Sequence, residues 1–287
     1  MTNDVSHPDL QALLSTGFNR VERIDETGST NTDLLAMPFT GQAQAAALRW
    51  ANHQTAGRGR RGQPWLDEQG ASLTFSVAFE YPTDVLRQTP LSAFTLVAGT
   101  SVLHALTRVV PGLGERLGLK WPNDVLLDGA KLAGILAEAS QQAGISRLVI
   151  GCGLNLRLPA KLQQQPTALP AIGLLQANGQ WPDDQSQKLV ATIAGCLMND
   201  FAEFVFKGFE PFRMAWESVN GFAGQPVVLS QDGKIIADGV CRGVDASGAL
   251  QIESAGIIKG YSIGVLSARM RAGPDDAGKQ AAPEPRL

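Results

Sequence analysis

The segment QTAGRGRRGQPW sets Arg58, Arg60 and Arg61 among Gly57, Gly59 and Gly62, so three forked cations and a pliable backbone share six residues. Glycine lets the main chain approach an anion closely, and a guanidinium meets phosphate or carboxylate oxygens with paired donors. The stretch therefore reads as a cradle for a polyanion, although a solvated turn or a nucleic-acid contact has the same composition. The P-loop signature GxxxxGK[ST] is absent. A second run, KWPNDVLLDGAKLAGIL, places Lys120, Asp124 and Lys131 in otherwise apolar strand sequence. Buried charge there needs a partner or a use. Taken singly, either lysine reads equally well as a strand-end residue whose ammonium reaches water. Gly134, next to the small Ala133, leaves room for a ligand beside the strand.

Two weaker signals follow. GCGLNL closes an apolar run on Asn155, an amide suited to a base or a phosphate, or simply to capping the strand. GSTN presents Ser29, Thr30 and Asn31 after Gly28, either as ligand-facing hydroxyls and amide or as a plain helix N-cap at Ser29 or Thr30.

These residues need elements to hold them. VERIDET alternates as a strand, STNTDLLAM follows as a short helix, and AQAAALRWANHQ leads as a second strand into the glycine-arginine loop. ASLTFSVAFEY is a strand by its β-branched and aromatic content, and LSAFTLVAGTSVLHALTRVV has helical spacing. The lysine-bearing run reads as strand, turn at Asp128-Gly129, and strand, with RLVIGCGLNL as a further buried strand. After a Gln- and Pro-rich connection, one long helical stretch is expected from about 187 to 219. Short strands punctuated by DG, SG and AG turns then predict a small five-strand barrel. The division expected is 1–20 as an extension, 21–220 as the catalytic unit, 221–270 as the barrel and 271–287 as a disordered tail.

Composition narrows the class. The 287 residues are 44% hydrophobic and 18% charged, with a net charge of −3, ordinary for a soluble enzyme. An acidic pI near 5.7 argues against a specific DNA surface. Three scattered cysteines, Cys152, Cys196 and Cys241, suggest reduced core residues rather than a zinc site. The N-terminus lacks a secretory pattern and no bilayer-spanning run of about 18 residues is read, so a cytoplasmic protein with no membrane partner is expected.

Taken in order, ETGSTN, QTAGRGRRGQPW, SLTFS, LKWPNDVLL, KLAGILAE and IGCGLNL resemble the signature series of biotin protein ligases, over roughly residues 21–270. The resemblance implies an α+β fold: a mixed, mainly antiparallel sheet with flanking helices, akin to class II aminoacyl-tRNA synthetases, plus an SH3-like C-terminal barrel. It implies ATP and biotin as substrates with Mg²⁺, a biotinoyl-AMP intermediate, and the biotin carboxyl carrier protein of acetyl-CoA carboxylase as partner. By the same resemblance Ser29, Thr30, Asn31, Gln54, Gly57, Arg58, Gly59, Arg60, Lys131 and Gly134 bind biotin. Arg58, Arg60, Arg61, Lys131 and Asn155 bind ATP or the adenylate, and Lys131, Arg58 and Asp124 are the catalytic set, Asp124 lying near the carrier lysine or the metal. Lys120 is a weaker candidate, Trp121 a structural residue, and Trp181 either an adenine-stacking or a surface side chain. No metal ligands are assigned, no N-terminal DNA-binding repressor domain is expected, and a homodimer stays open. A lipoate or octanoate ligase or transferase of the same superfamily, a nucleic-acid binder and a non-catalytic biotin module remain as alternatives.

Overall fold

The structure is a computed structural model that describes residues 2–3, 8–41, 45–87, 90–159, 170–175, 181, 183–231, 234–262 and 267–270. The expected disordered tail, the Asp232-Gly233 turn and most of the 160–186 connection lie outside the described residues.

An eight-strand sheet carries the larger part of the chain. Its strands are β1 (Thr2–Asn3), β2 (Phe18–Thr27), β3 (Ala46–Gln54), β4 (Ser72–Pro82), β5 (Leu117–Lys120), β6 (Asp124–Leu127), β7 (Ala130–Gln142) and β8 (Ile145–Asn155). They lie in the order β1-β2-β3-β4-β8-β7-β6-β5. Only β2 and β3 run parallel, so the sheet is mixed and mainly antiparallel as the sequence suggests. The expected single hairpin at Asp128-Gly129 proves to be three strands, because the chain also turns between β5 and β6. Asp128 (φ 52°) and Gly129 (φ 77°) supply the two left-handed residues that a tight hairpin turn demands.

Both faces of the central strands are covered, and β4 is buried along nearly its whole length. On one face sit α1 (Pro8–Ser15), α4 (Leu91–Val109) and α5 (Asp183–Lys207), with α3 (Thr83–Arg87) preceding α4. Phe201 of α5 meets Phe79 of β4 at 5.1 Å and Phe94 of α4 at 5.5 Å, edge to face, which locks both helices to the sheet. On the other face α2 (Thr30–Ala36) packs Leu34 on Ala78 and Val149. Its C-terminal turn is pinned by the buried Arg147–Glu80 ion pair: Arg147 donates to the carbonyls of Leu34, Met37 and Pro38, and Glu80 accepts the Thr40 amide and hydroxyl. Every charged atom there has a partner, the condition under which a buried pair is tolerable.

The helical stretch expected over 187–219 is two helices, α5 and α6 (Glu210–Ser218), separated by Gly208 at φ 75° in the left-handed C-terminal position. Contrary to the sequence reading, Asp184–Lys207 is by length and composition a helix long and apolar enough to cross a membrane. Leu189, Ile193, Leu197 and Phe201 on one side of it are buried against the core, while Phe206 near its end is exposed.

The C-terminal part comprises β9 (Pro226–Gln231), β10 (Lys234–Val244), β11 (Leu250–Ser254), β12 (Ile257–Tyr261) and β13 (Ser267–Met270). They form an antiparallel sheet in the order β12-β11-β10-β9-β13. It is joined to the larger part through Trp121, which is buried and donates from Nε1 to the Gly248 carbonyl at 3.1 Å. Ser92 Oγ donates to the neighbouring Ser247 carbonyl at 3.0 Å.

Candidate active site

The floor of the cleft that gathers the glycine-arginine loop and the lysine-bearing strands is made by glycines. Gly151 and Gly153 alternate on one face of β8, and Gly153 pairs with Gly134 of β7. A Cβ at Gly151 would overlap the Asn31 carboxamide, and one at Gly153 would lie 2.6 Å from Cζ2 of Trp65. The glycines are required because side chains from α2 and the loop pass directly over the strands. Above them remains a cavity of about 230 Å³.

One end of the cavity is neutral and rich in hydrogen-bonding groups. Ser29 occupies the N-cap position of α2 in extended conformation, but its hydroxyl makes no capping bond, so its side chain is free to serve the cavity it lines. Thr30 donates its amide to Gln54 Oε1 at 2.8 Å. Ser76 Oγ donates to Asn31 Oδ1 at 2.6 Å and also lies 2.6 Å from Thr30 Oγ1, which reaches Gln54 Oε1 at 3.1 Å. Asn31 Nδ2 donates to Glu138 Oε2 at 2.8 Å, and Arg58 Nη2 donates to the same carboxylate at 3.2 Å and to Thr32 Oγ1 at 3.1 Å. Thr30, Asn31, Gln54 and Arg58 are thus each held by a partner rather than left to find a rotamer, the preorganisation a specific small-molecule site needs.

The other end carries excess positive charge. Lys131 Nζ lies 2.7 Å from Asp124 Oδ1, Lys120 Nζ 3.6 Å from Asp124 Oδ2, and Arg60 Nη1 donates to Asn123 Oδ1 at 3.5 Å. Three cations therefore share one carboxylate. Burial pushes the Lys120 ammonium down, with Asp124 opposing and Lys131 reinforcing that shift. Burial likewise lowers Arg60, whose Nη2 is buried with no hydrogen-bond partner. Cations held against desolvation with an unspent donor form a site awaiting an anion.

The glycine-arginine loop is a tight hairpin over this cavity. Trp65 N donates to Gly57 O at 2.9 Å, and Gly59 N to Gln63 O at 2.6 Å. Ser29, Thr30, Asn31, Gln54, Arg58, Gly59, Arg60, Asp124, Lys131 and Gly134 all line the cavity, while three expected residues do not. Gly57 is buried beneath the hairpin, where a Cβ would lie 3.1 Å from both Gln54 Nε2 and the Trp65 carbonyl. Arg61 is exposed at the apex with φ 58°. Asn155 is buried at the end of β8, donating from Nδ2 to Ile172 O at 3.3 Å. Trp181 lies in a different pocket, beside Trp50 and Arg23, with Nε1 donating to Ser186 Oγ at 2.8 Å.

Sequence reasoning missed Trp65, Asn123 and Cys152 on the wall, and Ser76 and Glu138 behind it. Trp65 carries a signal in hindsight: the Gly151-x-Gly153 alternation marks a flat floor that only a large planar side chain covers well. Its ring centroid stands 5.9 Å from Lys131 Nζ, and its Nε1 is buried without a partner. The Cys152 thiol is fully buried and pushed up to about 12, which makes it inert.

A neutral, amide-lined end and a cationic end in one short cleft define a site for a small acid together with a phosphate-bearing co-substrate. Residues 23–155 match the profile of the biotin/lipoate A/B protein ligase family. The bifunctional ligase/repressor BirA of Escherichia coli K12 is 33% identical over 243 residues, covering 84% of this chain and 71% of that protein. The biotin--[acetyl-CoA-carboxylase] ligase of Paracoccus denitrificans is 32% identical over 226 residues, 78% of this chain and 90% of that protein. Among solved structures, the biotin protein ligase of Aquifex aeolicus in complex with biotin and ATP superposes with a TM-score of 0.73 at 27% identity, covering 88% of this chain and all of that one. The chain belongs to the biotin protein ligases of the biotin/lipoate A/B protein ligase family.

Proposed function

We propose that this chain joins biotin to a protein lysine in two steps through biotinoyl-5'-AMP, and the observation that carries the proposal is the two-ended cavity. The biotin carboxylate attacks the α-phosphorus of ATP and pyrophosphate leaves. The carrier amine then attacks the acyl carbon, loses a proton and displaces AMP. Ser29, Thr30, Asn31 and Gln54 suit the ureido ring of biotin, which both donates and accepts hydrogen bonds. An octanoyl chain offers that polar wall nothing to bond. Lys131 and Arg60 face the charge that builds on the α-phosphate during attack, the electrostatic task of an oxyanion hole.

Mg²⁺ fits as an ion carried with the ATP phosphates. Asp124 is the one carboxylate on the cavity wall, and among the described residues no group of three or more His, Cys, Asp or Glu side chains is placed to cage a metal. Supplied in that way, Mg²⁺ would neutralise phosphate charge. The relatives named for acetyl-CoA carboxylase support its biotin carboxyl carrier protein as the acceptor. Asp124, as the family resemblance implies, would lie near the carrier lysine, and it holds Lys120 and Lys131 at the phosphate end of the cavity. We further propose that residues 221–270 are an SH3-like unit, and that the protein is cytoplasmic and binds no operator DNA.

The test is purified protein with ATP, Mg²⁺ and biotin, lipoate or octanoate in parallel. Pyrophosphate release is expected with biotin, and lysine labelling on an added carrier domain. Lys131→Ala should lower adenylation by roughly 10²- to 10³-fold with the fold retained. Release with lipoate or octanoate alone would overturn the assignment.

A further inference from the structure

We propose that Asp67, with His53 beside it, is a positioning residue that anchors the Gly57–Trp65 hairpin over the cavity and sets how tightly biotin and its adenylate are retained. The inference rests on the biotin-activating reading above. Asp67 lies just past the hairpin and is followed by exposed residues, yet its side chain is fully shielded from solvent. Burying a carboxylate is costly, so its site must repay the desolvation. Its Oδ2 accepts the Gln54 backbone amide at 2.9 Å, with His53 Nδ1 at 3.6 Å from the same oxygen. Burial pushes the Asp67 carboxyl up, and the Gln54 amide, followed by His53, pulls it back toward the charged form.

The position of this contact gives it its consequence. The outgoing leg of the hairpin is tied to the segment before α2 by Thr55 N to Thr27 O and Ala56 N to Gly28 O, both 2.9 Å. The returning leg, which carries Trp65 over Gly134 and Gly153, crosses back to the end of β3 through the Asp67 carboxylate. The residue it grips there is Gln54, whose own side chain holds the first amide of α2. One carboxylate thereby couples the roof of the cavity (Trp65) to its neutral wall (Gln54 and Thr30). Asp67 is not on the cavity surface, so it acts through these two and not on the reactants.

Asp67→Ala deletes the anchor, and Asp67→Asn keeps the volume and one acceptor oxygen for the Gln54 amide. The measurements are the biotin KM, the pyrophosphate rate at saturating biotin, and biotin label appearing on bystander serum albumin at matched pyrophosphate release. For Asp67→Ala we expect KM and bystander labelling to rise about fivefold or more while the saturated rate changes less than about threefold, and Asp67→Asn to recover most of the loss. Loss of fold alone would lower the number of active sites without raising bystander labelling per turnover. A folded Asp67→Ala protein with unchanged KM and labelling, or a lower saturated rate at unchanged KM, would overturn the proposal. Should Asp67→Ala be insoluble, His53→Ala carries the same test: a rise in KM and labelling supports the anchor, and unchanged values overturn it. Wild-type protein that activates none of the acids would instead overturn the biotin reading.

Discussion

Gly153→Ala tests whether the glycine floor exists to admit Trp65. In the folded chain the new Cβ would lie 2.6 Å from Trp65 Cζ2 and 2.8 Å from Cδ2. Ordinary carbon contact begins about 3.5 Å apart, so ring and strand must separate by roughly 1 Å. The strand cannot give way easily, because β8 is paired residue by residue with β4 from Ser72 to Pro82 and with β7 from Ala133 to Gln142. The hairpin that carries Trp65 yields instead, lifting off the cavity. Overpacking of this kind costs about 1–3 kcal/mol. Here the strain falls on the closed hairpin, and opening relieves it. Ligand-free stability should therefore change little, whereas biotin affinity should weaken roughly 5- to 150-fold, the same energy read through a binding constant. Calorimetric titration with biotin, alongside a thermal melt, separates the two quantities. Gly134→Ala is the internal control, since its Cβ would meet Trp65 Cζ3 at 3.2 Å and Lys131 Nζ at 3.3 Å, a milder conflict with a movable side chain. Gly153→Ala protein with wild-type biotin affinity would refute the reasoning.

Two further outcomes follow from buried groups. Trp121→Phe removes the donor to the Gly248 carbonyl and should cost about 1–3 kcal/mol, seen as a melting temperature lower by a few degrees; an unchanged melt would mean this contact does not join the two sheets. Burial holds the Cys152 thiol protonated up to about 12 against 9 in the open chain, so its stabilising effect is complete below pH 9 and is lost as pH rises from 9 toward 12. Cys152→Ala should flatten the alkaline loss of stability by as much as ~1.4 kcal/mol per pH unit in that window, measured as urea midpoints at pH 8 and 10.5, while Tyr81, pushed up to about 12 by burial, keeps a residual slope in both proteins. Parallel pH profiles for the variant and the wild type would contradict it.

What the residues announced in advance was chemistry carried by short runs. GRGRRG and KWPND with KLAGI each hold several functional side chains within a few positions, so their types and spacing are visible before any fold is known. Glu138, Ser76 and Asp67 are different, because each works through a partner distant in sequence. Asn31 meets Glu138 across 107 positions and Ser76 across 45. In SLTFSVAFEY the polar residues Ser72, Thr74, Ser76 and Glu80 alternate as a solvent-facing set would, yet all four are buried. Period-two patterning reports which residues share a face and leaves open what covers that face. The merged reading of α5 and α6 has a similar cause, since apolar spacing continues on both sides of Gly208 and only its left-handed backbone breaks the helix.

The three arginines of the hairpin show where composition stops and backbone handedness begins. By type and neighbourhood Arg58, Arg60 and Arg61 are equivalent. In the hairpin, Arg58 is drawn to Glu138 and Arg60 to Asn123, whereas Arg61 takes φ 58° at the turn and is exposed at its apex. Asn155 differs from Gly151 and Gly153 in another way. It alternates with them along β8, but the segment returning at Ile172 takes its amide before it can reach the cavity. That same segment pairs with Lys131, receiving its amide at Pro170 O (2.7 Å) and returning one from Ile172 N (3.0 Å). Asn155 and Lys131 thus act on opposite sides of one backbone crossing: Lys131 sends its ammonium into the cleft, and Asn155 steadies the crossing that holds the Lys131 main chain.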